Sequence, residues 1–148
     1  MIVNGQTLLK AAPIKDMLDH KVRGEITSHG LSEAGYDIRI KQGVWLHPFK
    51  RFSLASSIEE FQIPNTLVGV IHDKSTWIRK GVKVGNTVAE SGWKGFLTLE
   101  LTFHKWWPIY IPAGSGIAQV LFNPLAEPAQ YDGKYQNQPD RPVEAING

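Results

Sequence analysis

After Gly24 the chain breaks into short apolar runs separated by Gly, Pro and Asn, and this punctuation restricts the available folds more than any other feature. The runs are Tyr36–Ile40, Val44–His47, Arg51–Leu54, Thr66–His72, Lys83–Val88, Gly95–Phe103, Pro108–Ile111 and Ile117–Phe122. Val, Ile, Thr and aromatic residues dominate them, and many short strands at near-regular spacing predict a mainly β sandwich, barrel or jelly roll. Ahead of them, Leu8, Leu9, Ile14, Met17, Leu18 and Val22 follow helical spacing interrupted by Pro13, which predicts a short N-terminal helix from about Ile14. From Asn123 onward Pro124, Pro128, Pro139 and Pro142 limit regular structure, so residues from about 124 to 148 are expected to form a tail.

A length of 148 residues fits one domain spanning 1–148, and 42% hydrophobic residues supply a core without covalent staples. The absence of cysteine excludes a disulfide scaffold, a thiolate metal site and a cysteine nucleophile, and it fits a cytoplasmic protein. Sixteen basic against 14 acidic residues leave a charge of +2, too balanced for coating a nucleic acid polymer, so any anion must be gripped locally. No apolar run approaches the length of a bilayer span, and Met1–Gln6 lacks a charged start followed by an apolar stretch, so neither membrane association nor secretion is expected.

Three segments carry possible chemistry. In Asp73–Gly81 the hydroxyls of Ser75 and Thr76 stand beside Lys74, Arg79 and Lys80 directly after a predicted strand. Such a segment can start a helical turn whose free amides favour an anion, and phosphate oxygens accept from hydroxyls, amides and a guanidinium together. The alternative is a capped turn with solvated lysines. Glu90–Gly95 reads as a turn that places Glu90 ten positions before Glu100. In Phe96–Phe103 alternation puts Leu97, Leu99, Leu101 and Phe103 on one face and Glu100 on the other, and amid these apolar neighbours Glu100 is expected to be a half-buried strand carboxylate that needs a partner. Trp106, Trp107 and Tyr110 read as core or subunit interface. The five histidines are scattered without ligand spacing, so no zinc site is expected.

Four blocks in order resemble the dCTP deaminase family, within the wider group that includes trimeric dUTPase. They are Gly35–Ile40, the phosphate loop Lys74–Gly81, the acidic turn and strand Glu90–Glu100, and Tyr131–Gln138 near the C-terminus. The resemblance implies a distorted jelly-roll or dUTPase-like β-barrel, assembled as a homotrimer with interfacial active sites and acting on a deoxynucleotide triphosphate. It implies that Ser75, Thr76 and Arg79 hold the triphosphate, with Lys74 in place of the family's usual first arginine and Lys134 reaching in from the tail. Ser75 is also counted beside the catalytic residue, Glu100, which would serve as general base and acid without zinc. Gln138 would help recognise the base, Tyr131 belongs to the closing segment, and Val84 and Thr87 fall in the Lys83–Ala89 base pocket. Mg²⁺ would arrive with the triphosphate, with no direct protein ligand.

Two positions depart from the pattern. Glu90 stands where the family typically has Asp, and Thr87-Val88 stand where monofunctional deaminases carry His and Arg, which points to a 5-substituted cytosine as a further possible substrate. The chain also lacks sequence between the first motif and the phosphate loop, consistent with a compact phage-type member. Rival readings are dUTP pyrophosphatase activity, alone or combined with deamination and with Glu90 as its carboxylate, and a nucleotide-binding regulator without catalysis.

Overall fold

A computed structural model describes residues 1–148. Its elements in chain order are α1 (Gly5–Ala11), β1 (Lys21–Val22), β2 (His29–Leu31), β3 (Tyr36–Arg39), β4 (Val44–Leu46), β5 (Phe52–Gln62), β6 (Leu67–Asp73), α2 (Ser75–Arg79), β7 (Val82–Val84), β8 (Val88–Ala89), β9 (Lys94–Phe103), β10 (Ile109–Ile111) and β11 (Gly116–Pro124). The protein is mainly β, and no helix is long and apolar enough to cross a membrane.

A six-stranded sheet runs β1-β2-β3-β11-β6-β8, a three-stranded sheet β5-β9-β7, and a two-stranded sheet β10-β4. Every strand pair is antiparallel, and the crossovers between distant strands give a jelly-roll arrangement. Alternation decides which faces meet. In β9 Leu97, Leu99, Leu101 and Phe103 turn inward while Glu100 faces out, and in β11 Ala118, Val120 and Phe122 turn inward. These side chains join Tyr36, Ile38, Phe61, Trp77 and others in one buried apolar cluster between the sheets.

The helix lies earlier than its expected start at Ile14. Ala12 takes a left-handed conformation with φ 47°, closes α1 by donating its N–H to Leu8 O, and Pro13 follows. The residue before a proline is sterically disfavoured in the α region, so the helix ends where the periodicity suggested it should begin. Ile14 is 1% exposed because it bridges to Phe61, with Lys15 N donating to Glu60 O and Gln62 N to Pro13 O. Its apolar character reflects strand-like docking.

The runs at Arg51 and Lys83 also change. β5 continues to Gln62 through an irregularity between Ser56 and Glu60, and buries Glu59 against Arg39, whose Nε lies 2.8 Å from Glu59 Oε1. The run over Lys83–Val88 divides at Gly85-Asn86 into β7 and β8, which belong to different sheets. Trp106 and Trp107 are 76% and 81% exposed, so they lie outside this chain's core, and the Arg51 guanidinium sits 5.0 Å above the Trp106 ring.

Candidate active site

The surface opens into two sizeable cavities that share no residue, and most of the site residues expected from the sequence divide between them. The larger, about 550 Å³, is mostly apolar and lies along the outward face of β9 and the segment Asn86–Glu90. It gathers Thr87, Glu90, Glu100, Tyr131 and Gln138. The second, about 530 Å³, is polar and surrounds the start of α2, where it gathers Lys74, Ser75 and Thr76 with Asp37, Asp73 and Gln119.

In the first cavity Glu100 is exposed at mid-strand, rather than half-buried as its apolar neighbours imply. Its main chain is held tightly: Gly85 N donates to Glu100 O at 2.7 Å, and Glu100 N donates to Asn86 Oδ1 at 2.9 Å. Glu90 leads a turn closed by the bond from Trp93 N to Glu90 O, so the two carboxylates border the cavity from separate elements.

The tail closes one side. Gln138 makes a parallel bridge to Gly95, its carbonyl accepts from Phe96 N, and its Oε1 lies 3.4 Å from Thr98 Oγ1. A Cβ at Gly95, where φ is +136°, would stand 2.5 Å from Gln138 N, so only glycine admits this approach. Trp93 Nε1 donates to Tyr135 O, Val143 N donates to Thr98 Oγ1, and Val143, Glu144 and Ala145 complete the wall.

In the second cavity the helical turn expected at Ser75-Thr76 is present. Its N-cap is Lys74 and no side chain caps it, so the hydroxyl-capped alternative does not apply. The Lys74 ammonium bonds Asp37 Oδ2; these side chains are 14% and 5% exposed. Cross-strand register explains the meeting: β11 lies between β3 and β6, with Gln119 opposite both Asp37 and His72, so the end of β6 delivers Lys74 over Asp37. Asp37 Oδ1 is buried with no partner. Burial, reinforced by the Arg39 guanidinium, holds nearby His29 below the ordinary imidazole value, which favours its neutral form.

An ammonium, hydroxyls and two carboxylates in one polar recess suit a phosphate chain carrying a divalent cation, so the residues present fit a magnesium-bound nucleotide. No three His, Cys, Asp or Glu side chains gather as a metal-ligating group.

Three expected residues lie elsewhere. Val84 is 5% exposed and belongs to the apolar core. Arg79 is exposed at the far end of α2, where its carbonyl accepts from Lys105 Nζ. The Lys134 ammonium bonds Ile146 O and lies 5.4 Å from the Tyr135 ring centroid. The sequence reading missed Asp37 as a partner of the phosphate loop, although it stands in the first quoted block. It also missed Asn86, for which the Gly85-Asn86 break within an apolar run was the available signal.

The architecture is that of solved dUTPases, at identities that speak to fold alone. EIAV dUTPase aligns with a TM-score of 0.58 at 15% identity over 84% of this chain and 92% of that one. The dUTPase of Staphylococcus bacteriophage 80alpha aligns with a TM-score of 0.57 at 18% identity, over 81% and 91%. The sequence narrows the class. The dCTP deaminase-like family model matches residues 36–125. A dCTP deaminase of Herpetosiphon aurantiacus is 35% identical over 84% of this chain and 86% of its own length, and one of Protochlamydia amoebophila is 34% identical over 88% and 89%. The chain therefore belongs to the dCTP deaminase-like family.

Proposed function

We propose that this protein hydrolyses the exocyclic amine of deoxycytidine triphosphate, without zinc, to give deoxyuridine triphosphate and ammonia. The observation that carries the reading is Glu100, an accessible carboxylate on a rigid strand inside a cavity within the usual size range for small-molecule sites. Glu100 takes a proton from the water that attacks C4 of cytosine and delivers it to N3, then takes the proton of the new C4 hydroxyl and delivers it to the amine, which leaves as ammonia as the C4 carbonyl forms. Gln138 and the Thr87 loop read the base, and Tyr131 walls the cavity.

Lys74, Ser75 and Thr76 hold the triphosphate, joined by Arg79 and Lys134 when these leave their present positions. Bound Mg²⁺ offsets charge on the phosphates. Because the phosphate loop and Glu100 occupy separate cavities in one chain, we place each complete site between neighbouring copies of a homotrimer, in the cytoplasm.

The test is to incubate the protein and Mg²⁺ separately with dCTP, 5-methyl-dCTP and dUTP and to resolve the products. The reading requires dUTP and ammonia from dCTP. Faster turnover of 5-methyl-dCTP would assign a 5-substituted substrate. Release of dUMP and pyrophosphate from dUTP without deamination would replace the reading by dUTP pyrophosphatase activity, which the position of Glu90 on the same cavity favours as the second choice. Tight binding with no turnover would make the protein a regulator.

Removal of the tail after Pro128 tests its role. The strands should remain folded, because the tail contributes no strand or helix. Loss of the cavity wall should lower kcat/KM by about a hundredfold or more. Loss of the Tyr135 carbonyl from Trp93, now 5% exposed, should red-shift tryptophan fluorescence. Full activity in the truncated protein would refute the roles given to Lys134 and Gln138.

A further inference from the structure

Beside Glu100 a side chain continues the ladder that a strand abandons. β7 pairs Val82 with Phe103, Lys83 with Thr102 and Val84 with Leu101, and Gly85 N adds a bond to Glu100 O at 2.7 Å. The chain then leaves this sheet, and as β8 it pairs with β6 instead, Gly69 with Ala89 and Val70 with Val88. The edge of β9 would lose its partner there. Asn86 supplies the next rung: Nδ2 donates to Thr98 O at 2.7 Å while Oδ1 accepts from Glu100 N at 2.9 Å.

The carboxamide thus uses its donor and its acceptor on main-chain groups of the strand that carries Glu100. An aliphatic residue makes neither bond, and a serine hydroxyl is too short to span both. Asn86 also directly precedes the wall formed by Thr87, Val88, Ala89 and Glu90, so one side chain ties the floor of the cavity to its wall. Glu100 is itself exposed, and its placement depends on the backbone to which it is attached.

We infer that Asn86 is a positioning residue that holds Glu100 in register with the opposite wall of the cavity. The inference rests on the proposed deamination insofar as Glu100 is the acid–base group. Asn86 need not touch the substrate. It acts by removing freedom from the strand segment Thr98–Glu100, and misplacement of a reacting group by about 1 Å can cost on the order of a hundredfold in rate.

Two readouts on the full chain separate this inference from the function on which it rests. In Asn86→Ala, amide hydrogen exchange at Glu100 should rise about tenfold or more, because the N–H loses its acceptor. With dCTP as substrate, kcat should fall about tenfold to a hundredfold while KM changes less than about threefold, because orientation and not binding is lost. Asn86→Asp keeps the acceptor for Glu100 and removes the donor to Thr98. It should show a smaller rise in exchange and still lower kcat more than it raises KM, which covers the case in which the alanine variant does not fold. Unchanged exchange at Glu100 in a folded variant would overturn the inference, as would an unchanged kcat where the parent protein deaminates dCTP. A parent protein that does not deaminate dCTP would overturn the function alone, and the exchange measurement would still decide the role of Asn86.

Discussion

Glu100→Gln should reduce dCTP deamination by about three orders of magnitude, the middle of the range for losing a general acid–base group. The amide is nearly isosteric, and the bonds that hold this residue, Gly85 N to its carbonyl and its own N–H to Asn86, belong to the main chain and survive the change. Glu100 is exposed, so stability should stay within about 0.5 kcal/mol of the parent. dCTP should still bind, because the triphosphate contacts are assigned to the other cavity. Separate measurements of thermal unfolding, dCTP affinity and single-turnover deamination would check all three expectations. Deamination at an appreciable fraction of the parent rate would remove Glu100 from the mechanism, and a collapse of stability would make its role structural.

Lys74→Ala has the largest expected effect on stability. Asp37 is 3% exposed, its Oδ2 is paired only with Lys74, and its Oδ1 has no partner. Deleting the ammonium leaves a buried carboxylate with neither countercharge nor hydrogen bond, which typically costs about 3–5 kcal/mol. For a chain of this size that corresponds to a fall in Tm of roughly 10 °C without nucleotide. Adding Asp37→Asn to Lys74→Ala removes the charge and should recover much of the loss, although either single substitution destabilises. A change in Tm within about 2 °C for Lys74→Ala would show that Asp37 is relieved in some other way. The pair also bears on binding, since a triphosphate entering this cavity must share the ammonium with a carboxylate already holding it.

The parts legible in the sequence were those governed by neighbours along the chain. The alternation of Leu97, Leu99, Leu101 and Phe103 placed Glu100 outward, as found, because side-chain direction in a strand has a period of two wherever the strand runs. The polar turn after β6 was legible because Ser75 and Thr76 are adjacent in sequence. Helical spacing misplaces the helix at Ile14, because the burial of this residue comes from Phe61, forty-seven positions away. The division of Lys83–Val88 between two sheets was likewise invisible, because local apolar character does not say which neighbour a strand will choose.

By itself, then, the sequence determined a mainly β chain without cysteine chemistry, with an outward acid on one strand and a hydroxyl-rich cationic turn after another, and its motifs marked the family. Only the tertiary structure decided that these two features occupy separate cavities, that Asp37 holds Lys74, that the tail walls the Glu100 cavity, and that Asn86 completes the ladder under Glu100. The physical reason is the same in each case. Periodicity and turn chemistry act within a few residues, whereas cavities, ion pairs and borrowed ladder rungs depend on strand order and register, which are selected by burial over the whole chain.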